Sequence, residues 1–133
     1  MSEAIRVTKR GGIVFVAYCG NDATILEFGF WKGKILQPPY NELIDFTTFK
    51  AFSTPEEIFQ LYRRENIDKL ISKFDVTRLH YVGSDMATHY RRDCIEQMSE
   101  ALYEKYLEYH FTICERQDMV GISHHILDIL RKN

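Results

Sequence analysis

Ser2-Glu-Ala-Ile-Arg-Val-Thr-Lys-Arg-Gly-Gly-Ile-Val-Phe-Val-Ala-Tyr18 is the stretch on which the fold turns. It reads as a short amphipathic helix with Ala4, Ile5 and Thr8 on one side, a Lys9-Arg10-Gly11-Gly12 turn, and the apolar strand Ile13–Tyr18. An apolar run without polar alternation is the pattern of a strand covered on both faces, as in sheets with helices on each side. The paired glycines are expected to stop the helix, because glycine takes a left-handed conformation at the least cost. Such a strand needs neighbours on both edges, and no residue ahead of it in this chain is available to be one.

Working outward, 133 residues with a 45% apolar share make a single domain with a real core. A formal charge of -2, with both signs interspersed, carries no electrostatic footprint for nucleic acid or anionic lipid, so neither is expected as a partner. Cys19, Cys94 and Cys114 are odd in number and far apart, which argues against a disulfide framework or a zinc site and for reduced thiols in a cytoplasmic chain. Ser2 to Arg10 is too charged for a signal peptide, and no apolar run approaches the ~20 residues of a membrane span. The aromatic share of 14% falls heavily between Phe28 and Phe52, the pattern of a flap packed over something.

After the strand, Cys19-Gly20-Asn21-Asp22 reads as a polar turn. Ligands in open parallel sheets bind outside the carboxyl ends of strands, so Tyr18, Cys19 and Asn21 occupy a position where a site is expected; a plain loop is the alternative. Ala23 to Lys32 reads as a helix apolar almost all round, through Ile25, Leu26, Phe28, Phe30 and Trp31. From Gly33 to Phe52 the spacing is irregular and Pro38-Pro39 forbids helix, giving an aromatic-rich insertion that is either a lid over a pocket or an aromatic mini-core. Thr54-Pro55-Glu56-Glu57 is a capping box that starts a helix carrying Ile58, Leu61 and Tyr62, which breaks near Arg63 to Asn66 and resumes with Ile67, Leu70, Ile71 and Phe74. Val76–Val82 is a second strand. Ser84 and Asp85 are caps for a helix with Ala87, Tyr90, Cys94, Ile95 and Met98, and Ser99 caps a longer one from Leu102 to Cys114. A final strand runs from Ser123 to Arg131.

No reaction is written in these residues by motif alone. His124 and His125 are adjacent, and neighbours in a strand point to opposite faces, so the pair cannot hold one metal and no metal is expected. His80 and His110 read as core histidines, Cys94 and Cys114 as core thiols, and Cys19 as a nucleophile only if a base stands beside it. Gly-x-Gly-x-x-Gly, Walker-type and Gly-x-Ser-x-Gly patterns are absent from the sequence.

A resemblance supplies what motifs do not. Glu3 to Tyr18 resembles the helix, Lys-Pro-Gly-Gly turn and fifth strand of a class I S-adenosylmethionine-dependent methyltransferase, with Arg10 where the family has proline. Leu79-His80-Tyr81-Val82, the helices after it and the ending Gly121–Lys132 resemble the sixth and seventh strands that close that fold, the last antiparallel. Ser-His-His ahead of apolar residues, with a terminal Arg-Lys, is similar to bacterial small-molecule methyltransferases of this class.

The resemblance implies an α/β fold: a partial Rossmann-like methyltransferase sheet with flanking helices, residues 1–133 as one domain matching the carboxyl-terminal half, and residues 20–53 as the insertion or lid. It implies S-adenosylmethionine as cofactor of the complete family enzyme and a small molecule as methyl acceptor. The glycine-rich first loop, the acidic residue that holds the ribose and the adenine-flanking segment belong to upstream β-α-β units of about 30 residues each, and none has a counterpart in this chain. Position alone carries over, making Tyr18, Cys19, Asn21, Trp31 and Tyr40 substrate-side candidates. The chain is therefore read as part of a methyltransferase, without cofactor contacts and inactive alone. The reading of a different class is a non-catalytic module that forms a homo-oligomer through its open strand edge.

Overall fold

The computed structural model describes residues 1–53 and 60–133. It is a mixed α/β structure built on a four-stranded mixed sheet. Helix α1 (Ser2–Val7) leads into strand β1 (Ile13–Gly20). The helix ends earlier than its glycines, at Thr8 in an extended conformation, and Lys132 Nζ donates to the carbonyls of Ile5 and Thr8 at 2.8 and 2.9 Å. A cation on the last carbonyls of a helix satisfies acceptors that have no partner within it. The turn itself needs Gly11, whose φ is +77°.

Strand β1 runs antiparallel to β6 (His125–Lys132), with Ile13 opposite Arg131 and Cys19 opposite His125. β6 is antiparallel in turn to β5 (Val76–Gly83), so β1 and β5 point the same way on either side of it. The fourth member, β4 (Leu61–Tyr62), lies parallel to β1 and completes the order β4-β1-β6-β5. Leu61 and Tyr62 are thus a strand and do not share a helix face: Tyr62 packs edge-on against Tyr18, with ring centroids 6.0 Å apart. The helix start expected at Pro55 lies outside the described residues.

One face of the sheet carries the core. Val14, Tyr18, Ile126 and Leu130 project into it to meet Ile5, Ile67 and Val120. Ile67 belongs to α3 (Arg64–Ile71), the helix that follows β4. The expectation that β1 is covered on both faces is not met: Ile13 is 42% and Phe15 65% exposed, and burial alternates along the strand. β4 covers only Cys19 and Gly20 on the outer edge, and among the described residues no strand pairs there with Ile13–Tyr18.

The insertion has more order than its spacing implied. Helix α2 (Asn21–Thr24) continues as a π-helical segment Ile25–Trp31. A 3-10 turn Tyr40–Glu42 then precedes a small hairpin of β2 (Ile44–Asp45) and β3 (Lys50–Ala51). Ile25, Ile35 and Ile44 form its own core with Tyr40 and Ala51. The helix expected after Asp85 is broken into a 3-10 turn Met86–Thr88 and α4 (Arg92–Ile95), leaving Cys94 exposed. Ser99 does cap α5 (Glu100–Ile113), its hydroxyl accepting from the Leu102 amide. α5 has no buried residue, so its apolar spacing does not mark a core face; Cys114, just beyond it, is buried. The final strand starts at His125, after a 3-10 turn Val120–Ile122.

Candidate functional site

Three backbone ends meet at one end of the sheet: the carboxyl ends of β1 and β5 and the amino end of β6. The chain approaches itself closely there. Gly20 donates its amide to the His124 carbonyl at 2.8 Å, and a β-carbon on Gly20 would lie 2.7 Å from the Ser123 carbonyl oxygen. Only glycine fits between two backbones at that spacing.

Ser123 is the hub. It is fully buried, accepts from the amides of Asp85 and Met86 at 3.2 and 3.0 Å, and donates to an Asp85 carboxylate oxygen. The other Asp85 oxygen lies 2.6 Å from His125 Nδ1, and the His125 amide donates to Asp85 at 3.1 Å. Burial works against the Asp85 charge, but these donors outweigh it and hold its carboxyl below the usual range. The result is a carboxylate that fixes one ring nitrogen of His125 while the ring stays 62% exposed. That arrangement orients an imidazole toward whatever occupies the site.

Beside this pair stand Glu27 on the π-helical segment, His89 after the 3-10 turn, and His124 just ahead of β6. Glu27 Oε2 is 2.8 Å from both His89 Nε2 and His124 Nε2. Lys32 binds the other oxygen, Oε1, at 2.7 Å. Burial opposes the Glu27 charge, yet Lys32 and the two histidines keep its carboxyl below the usual range. The imidazoles of His89 and His124 lie with centroids 4.0 Å apart and planes tilted by 38°, and the Tyr90 ring centroid lies 5.2 Å from that of His124 and 5.0 Å from that of Trp31.

The residues singled out from sequence do not converge. Tyr18 is a core residue whose hydroxyl donates to buried Asp128 at 3.4 Å. Cys19 is half-buried, and burial together with nearby Asp85 pushes its thiol pKa up, the wrong direction for a nucleophile. Asn21 is 1% exposed and ties β1 to the hairpin, donating to the Phe49 carbonyl at 3.0 Å and accepting from Ala51 at 2.8 Å. Tyr40 lines an apolar cavity of about 140 Å³ between the insertion and β4, with Ile25, Leu43, Phe52 and Leu61. Trp31 alone reaches the histidine cluster, through Tyr90, and is 59% exposed.

Asp85, His89, Glu27 and Ser123 carried no sequence signal of a site, since they lie on separate elements with no shared spacing. His80 is not a core histidine: it is half-exposed and pairs with Glu115 at 3.0 Å. Among the described residues no helix is long and apolar enough to cross a membrane. The chain matches no protein-family model and no curated protein sequence.

Proposed function

We propose that this chain is the acceptor-side part of an S-adenosylmethionine-dependent methyltransferase acting on a small molecule. The observation that supports it best is the strand arrangement, with the last strand inserted antiparallel between two strands that run the same way. That is the order expected if β1, β5 and β6 correspond to the fifth, sixth and seventh strands of the family sheet. A polar cluster at the carboxyl ends of β1 and β5 agrees with the general position of ligand sites in such sheets. In this reading His125, fixed by Asp85, hydrogen-bonds the methyl acceptor and aligns its nucleophilic atom. Attack on the cofactor methyl group then gains chiefly from proximity and alignment. The cofactor itself is held by no numbered residue of this chain.

Calorimetry with S-adenosylmethionine tests both halves of the reading. The protein as its gene encodes it is expected to bind one equivalent, and residues 1–133 alone none. No binding by the encoded protein contradicts the methyltransferase reading. Micromolar binding by residues 1–133 contradicts the assignment of cofactor contacts elsewhere.

A second reading, of a self-associating module, is favoured by a different observation: Phe15 and Ile13 are exposed on the bare sheet face, next to an edge of β1 that pairs with no strand along Ile13–Tyr18 among the described residues. Unpaired strand edges recruit further strands. Light scattering on residues 1–133 at high concentration is expected to give a dimer that Phe15→Glu dissociates, and a wild-type monomer rejects this reading.

A further inference from the structure

We infer that Glu27, His89 and His124 form a binding site for a divalent transition-metal ion of the zinc type, held by one carboxylate oxygen and two imidazole nitrogens. Their ligand atoms lie within 4.8 Å of one another and come from three separate elements. This inference stands independently of the methyltransferase reading.

Thr24 Oγ1 donates its single proton to the Gly20 carbonyl at 2.8 Å and lies 3.3 Å from His124 Nδ1. A hydroxyl has one proton, so toward His124 Thr24 only accepts, and Nδ1 carries the ring hydrogen. His124 Nε2 is then a bare lone pair. It is buried, has no hydrogen-bond partner, and nevertheless stands 2.8 Å from a carboxylate oxygen of Glu27. The ring nitrogen is not aimed along the line to that oxygen, so the two make no hydrogen bond, and two electron-rich atoms this close repel unless a cation bound by both offsets it.

The surroundings fit a metal. Lys32 holds Oε1 and leaves Oε2 facing the two rings. His124 Nδ1 has the Thr24 hydroxyl oxygen on its outer side at 3.3 Å, whereas Asp85 lies 3.9 Å from His89 Nδ1, beyond hydrogen-bond reach. A hydrogen-bonded outer partner such as Thr24 fixes the tautomer that ligates. Two nitrogens and one oxygen suit zinc or cobalt and do not suit magnesium, which takes oxygen donors. Three protein donors leave one position of a tetrahedral ion open to water or to an acceptor oxygen.

Residues 1–133, freed of metal with chelator, are to be titrated with Zn2+ in competition with a chromophoric chelator, with Co2+ to give visible bands from nitrogen ligation, and with Mg2+. One Zn2+ per chain is expected, with Co2+ bands of tetrahedral type and no Mg2+ binding. Glu27→Gln, which keeps the shape, and His89→Ala, the most open of the three, are each expected to weaken zinc binding at least tenfold. His80→Ala, in the exposed His80–Glu115 pair, is expected to change nothing. Circular dichroism of the metal-free variants shows whether either has failed to fold, and the other then decides. Absence of micromolar zinc binding by the wild type, or binding undiminished in a folded Glu27→Gln or His89→Ala chain, overturns the inference.

Discussion

Arg78→Met is expected to destabilise the chain by about 3–5 kcal/mol, because it strands a buried carboxylate. Asp128 on β6 is fully buried and is held by the Arg78 guanidinium, with the Tyr18 hydroxyl on its other oxygen at 3.4 Å. Arg78 also binds Asp68 of α3 at 2.7 Å, so one side chain of β5 joins the middle strand to the helix above it. Burial works against the Arg78 charge, but its two carboxylates outweigh that and raise its pKa. Burial pushes the Asp128 carboxyl the other way from an exposed aspartate, upward, against the pull of Arg78.

Domains of this size are stable by only about 5–15 kcal/mol, so the loss removes a large part of the total and lowers Tm by on the order of 10 °C. The pH dependence has a definite sign. A carboxyl whose folded pKa is raised favours the fold below its ordinary pKa and opposes it as pH rises through the folded value. The deficit of Arg78→Met is therefore greatest at neutral pH and shrinks on acidification as Asp128 takes up a proton. Arg78→Met combined with Asp128→Leu is expected to recover most of the lost stability, because no charge is then left without a partner. Thermal melts of the three chains across pH check all of this. A single variant as stable as the wild type at neutral pH contradicts it.

The largest expected effect on activity belongs to His125. Under the proposed function, His125→Ala in the protein as encoded is expected to lower methyl transfer by about 10²-fold, the cost of losing alignment by an ångström or so. The ring is 62% exposed and packs into no core cluster, so its removal leaves the fold intact. Asp85→Asn tests the positioning role separately. It keeps the side-chain shape but replaces an acceptor of the Ser123, His125 backbone and His125 ring donors with an amide. A rise in the acceptor KM with His125→Ala at unchanged kcat shows uniform binding, whereas a fall in kcat shows alignment realised in the transition state. Unchanged activity in His125→Ala removes it from the site.

The frame was legible because its signals are local. The helix, glycine turn and apolar strand of residues 2–18, the β-branched run Val76–Val82 and the Ser99 cap each carry their cause within a few neighbouring residues. What failed depends on residues far away. An apolar run such as Ile13–Tyr18 does not say which face is covered, and Phe15 and Ile13 are left in solvent. Leu61–Tyr62 is too short for any period to show, and only its pairing with Cys19 and Gly20 makes it a strand. The hairpin at Ile44 and Lys50 is anchored by the amide of Asn21, a contact across about 30 residues of irregular sequence.

The same physics governs the site. The adjacent histidines do part: His124 is 5% exposed and turned inward, while the His125 ring stands in solvent. The partners of His124 are Glu27 and His89, at the end of long separations in sequence, so no spacing rule finds them. A buried imidazole becomes a candidate ligand only when the tautomer fixed by Thr24 and the position of Glu27 are known together.

Methyl transfer to a small molecule, the proposed activity, is measured most directly by the fate of a labelled methyl group. The protein as encoded, incubated with methyl-labelled S-adenosylmethionine and the small-molecule fraction of its own host's extract, is expected to move label into that fraction, with S-adenosylhomocysteine formed in equal amount. Label that stays on S-adenosylmethionine, or moves only into protein or nucleic acid, contradicts the account.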